Sequence, residues 1–479
     1  MGDPERVLAR FTGERAGSAP LTWGQAAIWK AVESVAPDDH WLNVRRVIVV
    51  PGRRAVRIPE LRTAVGRLVT RHEALRTLIQ PAGAGPVQVV VPAGQLEIAM
   101  VEVDVDVDPG ATPRRLIELD DSVCAPPVLA DATDAMLCRL AGERFDYATA
   151  WPLRVGAVVD GPSGLVRHVV LVFSHVAVDW HAAEQVVRDL RMLLARGVLP
   201  ARDALRPLEL AAREQTAGRR TERAVAHWLR AYQRIPTEPF PLTLPAAQPR
   251  YRQAILTSPA LRTAVPLVAA RHAMSTSTVL LAATAAVIGA ATGHGACGLL
   301  TIVSNRFQAG HGSVIAPMNQ LALIALDLAG VGLDDPACLD TLVPVAWRAA
   351  LEAYQHGYYD QVALDLALAG AGHDPGDGTV APFCCFNDLR ADGDRALPAG
   401  LAEPLPVADR SRLRLALRDT TVDWLSMASF NWRFYLEVRS APGALGLVLT
   451  ADTMAMPPER LERLLRQLEL LVVESALRG

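Results

Sequence analysis

The stretch Val169–Leu190, VVLVFSHVAVDWHAAEQVVRDL, places a histidine and an aspartate where a strand gives way to a helix. Its first five residues, Val169–Phe173, are β-branched, aliphatic or aromatic, a pattern that predicts a buried strand. His175 and Asp179 follow, and the run after them has the spacing of an amphipathic helix that ends near Arg196. A strand that delivers an imidazole at its end is a common way to fix a histidine for chemistry, so we interpret the rest of the chain around His175.

The size and charge of the chain favour two folded lobes and argue against two classes of partner. With 479 residues, 51% of them hydrophobic, two lobes of roughly 200 residues each are expected. A net charge of −3 provides no basic field for nucleic acid. The longest apolar run, Thr278–Thr292, is too short and too rich in alanine to cross a bilayer. We therefore expect neither a nucleic-acid partner nor a membrane.

The cysteines and the N-terminal residues predict a cytoplasmic protein. None of the six cysteines forms a Cys-x-x-Cys pair, and we interpret them as reduced thiols. The first ten residues carry acidic side chains and no apolar segment of the kind found in a secretory signal. The expected location is the cytoplasm.

Strand and helix patterns alternate along both halves of the chain, with a proline-rich stretch between them. Five prolines fall within Pro236–Pro249, which is the best candidate for a linker. We predict an N-terminal lobe over residues 1–195, a connecting helix and linker over residues 196–250, and a C-terminal lobe over residues 251–479. No internal repeat is visible in the sequence.

In its order of motifs, the chain resembles the condensation domains of nonribosomal peptide synthetases, part of the superfamily that includes chloramphenicol acetyltransferase. The resemblance covers about residues 20–475. It rests on an opening Thr-x-x-Gln helix, an intact Arg-His-Glu-x-Leu-Arg-Thr segment, a Phe-Asp…Pro-Leu-Arg segment, a version of the His-His-x-x-x-Asp-Gly signature, and a late Asn-Arg pair. The matching residues are Thr22, Gln25 and Trp29; Arg71 to Thr77; Phe145, Asp146, Pro152, Leu153 and Arg154; Ser174 to Trp180; Asn305, Arg306 and Asn319.

The resemblance implies an α/β (α+β) fold of two chloramphenicol acetyltransferase-like lobes in a V, with an active-site tunnel between them. It also implies acyl transfer from a thioester to an amine or hydroxyl, with His175 as the catalytic residue that hydrogen-bonds the attacking group. No metal and no cofactor of the enzyme's own is expected, because the phosphopantetheine arm comes with the carrier-protein substrate. No Ser nucleophile elbow and no phosphate-binding glycine loop occurs in the sequence.

Two positions depart from the signature. Ser174 stands in place of the first histidine, and Trp180 in place of the glycine. We expect Ser174 to support the site and Trp180 to line the substrate channel, either shaping or closing it.

Two further positions of the site follow from the resemblance. Asp179 is expected to form a structural ion pair, with Arg76 or Arg306 as its partner, and the sequence does not choose between them. Asn319 is placed near the channel floor.

Three functions remain open on this basis. The leading one is a free-standing condensation enzyme that joins a carrier-bound acyl or aminoacyl thioester to a small-molecule or carrier-bound nucleophile. The second is a polyketide-associated or CoA-dependent acyltransferase of the same fold. The third is a non-catalytic domain that binds an acyl or peptidyl carrier protein. The departures from the signature at Ser174 and Trp180 are the reason to retain this third hypothesis.

Overall fold

A computed structural model describes most of the chain. The described residues are 7–51, 54–83, 85–105, 114–115, 124–125, 127–201, 204–373, 382–390, 392–396, 407–427 and 429–478. They form two compact units, the first made of residues 1–218 and 304–320, the second of residues 219–303 and 321–479.

The first unit is built on a five-stranded sheet with helices on both faces and a small three-stranded sheet beside it. Single 3-10 turns occur at Asp39–Leu42 and Glu73–Arg76. The strands and helices are β1 Val7–Thr12, β2 Gly17–Pro20, α1 Trp23–Val35, β3 Val44–Val49, α2 Ile58–Arg71, β4 Thr77–Gln80, β5 Val87–Val90, β6 Ala93–Val103, β7 Arg114–Arg115, β8 Cys124–Ala125, α3 Pro127–Ala141, β9 Leu153–Asp160, β10 Leu165–Phe173, α4 Trp180–Arg196 and α5 Pro207–Glu214.

The large sheet of the first unit has the strand order β1-β6-β9-β10-β3. Its strands are antiparallel to their neighbours except for the parallel pair β6 and β9. Alternate side chains of β10 enter two different cores, because successive residues of a strand point to opposite faces. Leu171 packs with α2 and α4, whereas Val170 and Val172 pack with α3. The strand that leads to His175 is therefore covered on both faces.

The second unit contains the remaining elements and a seven-stranded sheet of order β13-β12-β14-β16-β17-β11-β15. A short 3-10 turn lies at Leu417–Asp419. The elements are α6 Gly218–Tyr232, β11 Tyr251–Ser258, α7 Pro259–His272, α8 Thr276–Thr292, β12 Ala296–Val303, β13 Gln320–Asp327, α9 Cys338–Gln355, α10 Gln361–Gly370, β14 Cys384–Asp388, α11 Asp392–Arg395, α12 Val407–Ala416, β15 Thr421–Met427, β16 Phe434–Ala441, β17 Ala444–Asp452 and α13 Pro458–Arg478.

The two units repeat one arrangement that the sequence does not display. In the first, β3 is followed by α2, and the antiparallel hairpin β9–β10 leads into α4; in the second, β11 is followed by α7, and the hairpin β16–β17 leads into α13. In each sheet the hairpin lies between a parallel neighbour and an antiparallel one. Both units are thus variants of one mixed α/β unit.

Local sequence accounts well for the helix ends near the site. Thr22 caps α1 and forms a capping box with Gln25, as the Thr-x-x-Gln pattern predicts. Asp179 caps α4, and Gly197 ends it in the left-handed conformation at a φ of 73°. The predicted bounds of these two helices agree with the structure to within two residues.

The compact units do not follow the predicted lobe boundaries. The first unit extends past residue 195 because α5 packs on β2, and the carboxylate of Glu214 accepts a hydrogen bond from the backbone N–H of Trp23 at 2.9 Å. Residues 304–320 also belong to the first unit, although the strands on either side of them lie in the second. The segment packs so closely on α1 that a side chain at Gly24 would collide with the carbonyl of Pro317.

The described ranges contain apolar helices and five cysteines whose side chains are described. No single helix in these ranges is both long enough and apolar enough to cross a bilayer. Helices α7 and α8 have the required length and apolar character only when they are taken together, and this pair is bent by 101°. The five cysteines whose side chains are described form no disulfide, and Cys138 is the exposed one.

Candidate active site

The histidine turn, which we define as residues 174–179, joins β10 to α4 in the first unit. Its first backbone N–H, from Ser174, donates to the carbonyl of Pro152 at 3.0 Å, which continues the pairing of β9 and β10 past the strand end. A tight turn follows in which the N–H of Ala177 donates back to the carbonyl of Ser174 at 3.0 Å. The turn is therefore anchored to the sheet on one side and to the first turn of α4 on the other.

His175 is held in one tautomer by its own turn. Its Nδ1 lies 2.9 Å from the carbonyl oxygen of Val178. Because a carbonyl can only accept a hydrogen bond, Nδ1 carries the proton and Nε2 carries the lone pair in the neutral ring. Burial lowers the pKa of the His175 imidazole, opposed by the Val178 carbonyl and the Asp179 carboxylate. The neutral ring presents Nε2 as a hydrogen-bond acceptor or base.

The buried carboxylate of Asp179 has three partners. One oxygen accepts the N–H of Ala182 at 2.7 Å and the guanidinium of Arg306 at 2.6 Å, and the other accepts the N–H of Met318 at 3.0 Å. Arg306 also donates to the carbonyls of Val314 and Ala316, both at 2.9 Å. Asp179 therefore fixes the helix start to the 304–320 segment.

Of the two arginines that the sequence offered as partners of Asp179, only Arg306 contacts it. Arg76 instead lies 3.9 Å from Glu73 and donates to the carbonyls of Arg15 and Val91 at 2.9 and 2.8 Å. Arg76 is buried, and these bonds tie the 3-10 turn after α2 to two neighbouring segments. It does not take part in the histidine turn.

Trp180 is the first residue of α4, and its side chain is 50% exposed. The guanidinium carbon of Arg46, on β3, lies 3.6 Å from the centre of the indole ring, which is a close cation–π contact. Arg46 also pairs with Glu184, one turn further along α4, at 2.5 Å. The indole thus covers a buried arginine on the sheet.

Ser174 and Asn319 each place an oxygen without a protein hydrogen-bond partner among the described residues. The Ser174 side chain is buried, and its Oγ has no partner; the same holds for Oδ1 of the half-buried Asn319. Ser174 lines a cavity of about 10 Å³ together with Gln25, Thr77 and seven other residues. That volume is close to the space one water needs, and the site is polar on the Ser174 side.

Sequence reasoning missed Arg46 and the backbone groups of Val178 and Met318. Backbone groups leave no mark in a sequence. Arg46 did leave a signal, since two adjacent arginines interrupt the otherwise apolar strand β3, and a buried arginine requires a partner. In the portion of the chain described, no group of three or more His, Cys, Asp or Glu side chains could hold a metal ion.

Comparison with solved structures identifies the fold. A condensation domain that mediates chain release from the enacyloxin polyketide synthase matches 100% of this chain and 86% of its own, with a TM-score of 0.69 at 17% identity. The condensation domain of the monacolin K polyketide synthase MokA matches 96% of this chain and 98% of its own, with a TM-score of 0.68 at 14% identity. The chain has the fold of a condensation domain.

Two curated relatives of this chain are named as synthetases. AmbB of Pseudomonas aeruginosa, an antimetabolite synthetase, is 28% identical over 287 residues. CymA of Salinispora arenicola, a probable non-canonical nonribosomal peptide synthetase, is 26% identical over 243 residues. These matches cover 58% and 48% of this chain, and 21% and 3% of the relatives. No protein-family model matches the chain.

The condensation-domain fold does not by itself choose a reaction. The epimerization domain from the third module of tyrocidine synthetase B matches 98% of this chain and 100% of its own, with a TM-score of 0.67 at 14% identity. The same architecture therefore serves more than one chemistry, and the reaction must be argued from the side chains of the histidine turn.

Proposed function

We propose that this protein catalyses condensation: it joins a carrier-protein-bound acyl or aminoacyl thioester to an amine or hydroxyl, forming an amide or ester. The observation that carries the proposal is the state of His175. Its Nδ1–H donates to the Val178 carbonyl, so Nε2 is the free lone pair of a ring that burial keeps neutral. That ring occupies the position of the second histidine in the condensation signature.

The reaction needs little from the enzyme beyond placement and one proton acceptor. The nucleophile attacks the thioester carbonyl, a C–N or C–O bond forms, and the C–S bond breaks to release the thiol of the carrier's arm. Nε2 of His175 accepts a hydrogen bond from the attacking N–H or O–H, and the proton that the nucleophile loses ends on the departing sulfur. The thioester is already activated, so this route requires no nucleophile on the enzyme.

The donor in this proposal is an acyl or peptidyl carrier protein, whose phosphopantetheine arm brings the thioester. The acceptor is a small-molecule or carrier-bound amine or alcohol. Supporting this choice, one curated relative is a probable non-canonical nonribosomal peptide synthetase and another is an antimetabolite synthetase. The structural neighbours include domains of two polyketide synthases and of tyrocidine synthetase B. Free-standing action and a cytoplasmic location remain predictions of the sequence.

A second candidate is a non-catalytic module that binds a carrier protein. Two observations favour it: Ser174 and Trp180 replace two signature residues, and the fold occurs in a domain with another activity. Against it, His175 keeps a defined tautomer and Asp179 keeps a full set of partners. A module that only binds a carrier has no need of the defined tautomer, whereas the contacts of Asp179 stabilise the fold in either case.

The test supplies an acyl-loaded carrier protein with a panel of amines and alcohols, and follows product by mass spectrometry. We expect product with the wild-type protein and a loss of about 100- to 10,000-fold in kcat for His175→Ala, the range of a lost general base. His272→Ala is the matched control, because His272 contacts Asp340 in the second unit, and it should retain the wild-type rate.

Three outcomes would redirect the proposal. Carrier binding without turnover across the panel would favour the recruiting module. Turnover of acyl-CoA in preference to the carrier thioester would favour the CoA-dependent acyltransferase. Equal rates for His175→Ala and wild type would remove His175 from the chemistry.

A further inference from the structure

Trp180 occupies the one signature position where the family uses glycine, and its ring has a specific partner. The partner, Arg46, lies on β3 between two residues that point to the same side of the sheet, Val44 and Ile48, both buried under α2 and α4. The arginine side chain is itself 7% exposed. A positive charge therefore lies in an apolar layer of the sheet, directly below the start of α4.

The Arg46 head group contacts both α4 and its own strand, β3. It donates to the carboxylate of Glu184 at 2.5 Å, to the carbonyl of Trp180 at 3.4 Å, and to the carbonyl of Arg45 at 2.6 Å. The indole of Trp180 covers the guanidinium at 3.6 Å. A buried cation needs such partners, because its desolvation is costly when they are incomplete.

We propose that Trp180 and Arg46 form a clamp that positions the first turn of α4, and through it the catalytic imidazole of His175. Trp180 is then a positioning residue: it stands where the family signature has glycine, and the contact of its ring with Arg46 holds the turn in place of that glycine. It is not a plug in the substrate path. The inference gains its meaning for catalysis from the proposed function, but it concerns the geometry of the turn and can be tested without turnover.

The clamp connects the helix start to a different part of the first unit from the one that Asp179 contacts. Asp179 ties this point to the 304–320 segment through Arg306 and the N–H of Met318. Trp180, the next residue, ties it to the sheet through Arg46. The peptide between these anchors and His175 carries the Val178 carbonyl, which accepts the Nδ1–H.

The position of the Val178 carbonyl decides the tautomer of His175. If the helix start shifts, this carbonyl moves away from Nδ1, and the ring loses the bond that reserves Nε2 for the nucleophile. A neutral imidazole in water populates both tautomers. The expected consequence of an open clamp is therefore a mixed tautomer population and a lower kcat.

The experiment records ring ¹⁵N shifts of protein labelled with ¹⁵N-histidine, with the His175 signals assigned by their loss in His175→Ala. Wild type should show Nδ1 protonated and Nε2 bare. Trp180→Gly, which restores the family residue, and Arg46→Met should both move the two shifts toward each other. Trp180→Phe keeps a ring above the guanidinium and should retain the wild-type shifts.

Glu184→Gln is a milder variant for the case that Trp180→Gly fails to fold, because Glu184 is partly exposed and the change removes only the charge. It should produce a smaller shift change in the same direction. The signals of His227, in the second unit, serve as an internal control for folding and should not change in any variant.

A second readout uses the carrier assay where product is found. With the clamp open, kcat should fall about 10- to 100-fold at a nearly unchanged KM, the size of effect expected from a misplaced catalytic group. A residue that lines the channel would instead change KM and the preference for acyl length. Unaltered His175 shifts in a folded Trp180→Gly or Arg46→Met protein would overturn the inference, as would a gain of activity in Trp180→Gly. If wild type yields no product but the shifts change as stated, the clamp stands and the proposed function fails.

Discussion

The histidine turn of the first unit has a counterpart in the second, and the two have different contents. Each follows the second strand of an antiparallel hairpin and leads into a long helix: β10 into α4, and β17 into α13. The counterpart, which we call the methionine turn, spans residues 453–457. The first two residues after the strand are Ser174 and His175 in one turn, and Thr453 and Met454 in the other.

In the methionine turn, the side-chain hydroxyl of Thr453 and the carbonyl of Met454 both have hydrogen-bond partners within the protein. Thr453 Oγ1 donates to the carbonyl of Arg250 at 2.6 Å and accepts the N–H of Ala247 at 3.3 Å. The carbonyl of Met454 accepts two backbone N–H groups, from Thr243 and Leu244. In the histidine turn, by contrast, the buried Oγ of Ser174 has no partner among the described residues. In the same strand–turn–helix arrangement, the hydroxyl after the strand is hydrogen-bonded within the protein in the second unit. In the first unit it has no protein partner among the described residues.

The largest expected difference concerns the buried aspartates at the two junctions, Asp179 in the histidine turn and Asp452 at the end of β17. Asp179→Ala strands Arg306, whose side chain is 6% exposed, and should cost about 3–5 kcal/mol, as for a broken buried pair. Asp452→Ala removes the partner of Arg250, which is 40% exposed and can turn to water, and should cost about 1–2 kcal/mol. Hydrogen exchange of the β10 and β17 peptides measures the loss in each unit.

Asp179→Asn serves as the control for the aspartate comparison, because it keeps a side-chain acceptor for the helix cap and removes the charge. It should fall between wild type and Asp179→Ala. Equal losses in Asp179→Ala and Asp452→Ala would mean that burial of the arginine does not set the cost.

The next prediction is that β10 is more sensitive to acid than β17. Burial under α3 lowers the pKa of His168 from 6.5 to about 4. Between these two pKa values the His168 imidazole is protonated in the unfolded chain and neutral in the folded one. The stability of the fold therefore falls as the pH drops below about 6.5, and the loss levels off near pH 4. At pH 5 the loss is about 2 kcal/mol. β17 contains no histidine, so its loss of protection should be smaller.

The measurement compares hydrogen exchange of the β10 and β17 peptides at pH 7.5 and pH 5, after correction for intrinsic exchange. His168→Gln cannot titrate in this range, so its β10 peptide should lose less protection at pH 5 than the wild-type peptide does. A parallel loss in both strands of the wild type would contradict the assignment to His168.

The smallest effect concerns the hydroxyls that directly follow the two strands. Ser174→Ala removes an oxygen that has no protein partner, and stability should stay within about 0.5 kcal/mol of wild type. Thr453→Ala breaks two hydrogen bonds and should cost about 1–2 kcal/mol. Thermal unfolding of the two variants tests the contrast. A Ser174→Ala loss as large as that of Thr453→Ala would place a tightly held water in the Ser174 cavity.

Much of the fold could be predicted from the sequence because its signals are local. The caps at Thr22 and Asp179 fix two helices, and the motif order predicts a condensation-domain architecture that the structure confirms. The interpretation failed where contacts join distant residues. Arg46 lies 138 positions from Glu184, and Asp179 lies 127 positions from Arg306. Nothing in the spacing could distinguish Arg306 from Arg76.

The similarity of the two units could not be predicted from the sequence either. It resides in strand pairing, which is a relation between distant segments, and the turns that could reveal it carry different residues. The sequence of residues 426–433 predicts a strand, and this prediction is wrong for a related reason. β15 ends at Met427, and its length is set by pairing with β11, not by the apolar run that continues after it.

The assignment of residues 304–320 to the first unit has a consequence for biosynthesis. The ribosome makes Asp179 long before Arg306, and at about 5–20 residues per second the interval is roughly 6 to 25 seconds. During that interval the residues of the first unit's sheet and of α4 have been made, but not the arginine that pairs with the Asp179 carboxylate. Maturation of the histidine turn is therefore late and post-dates synthesis of β12, in the second unit. A fragment ending at residue 218 would be held permanently at that immature stage.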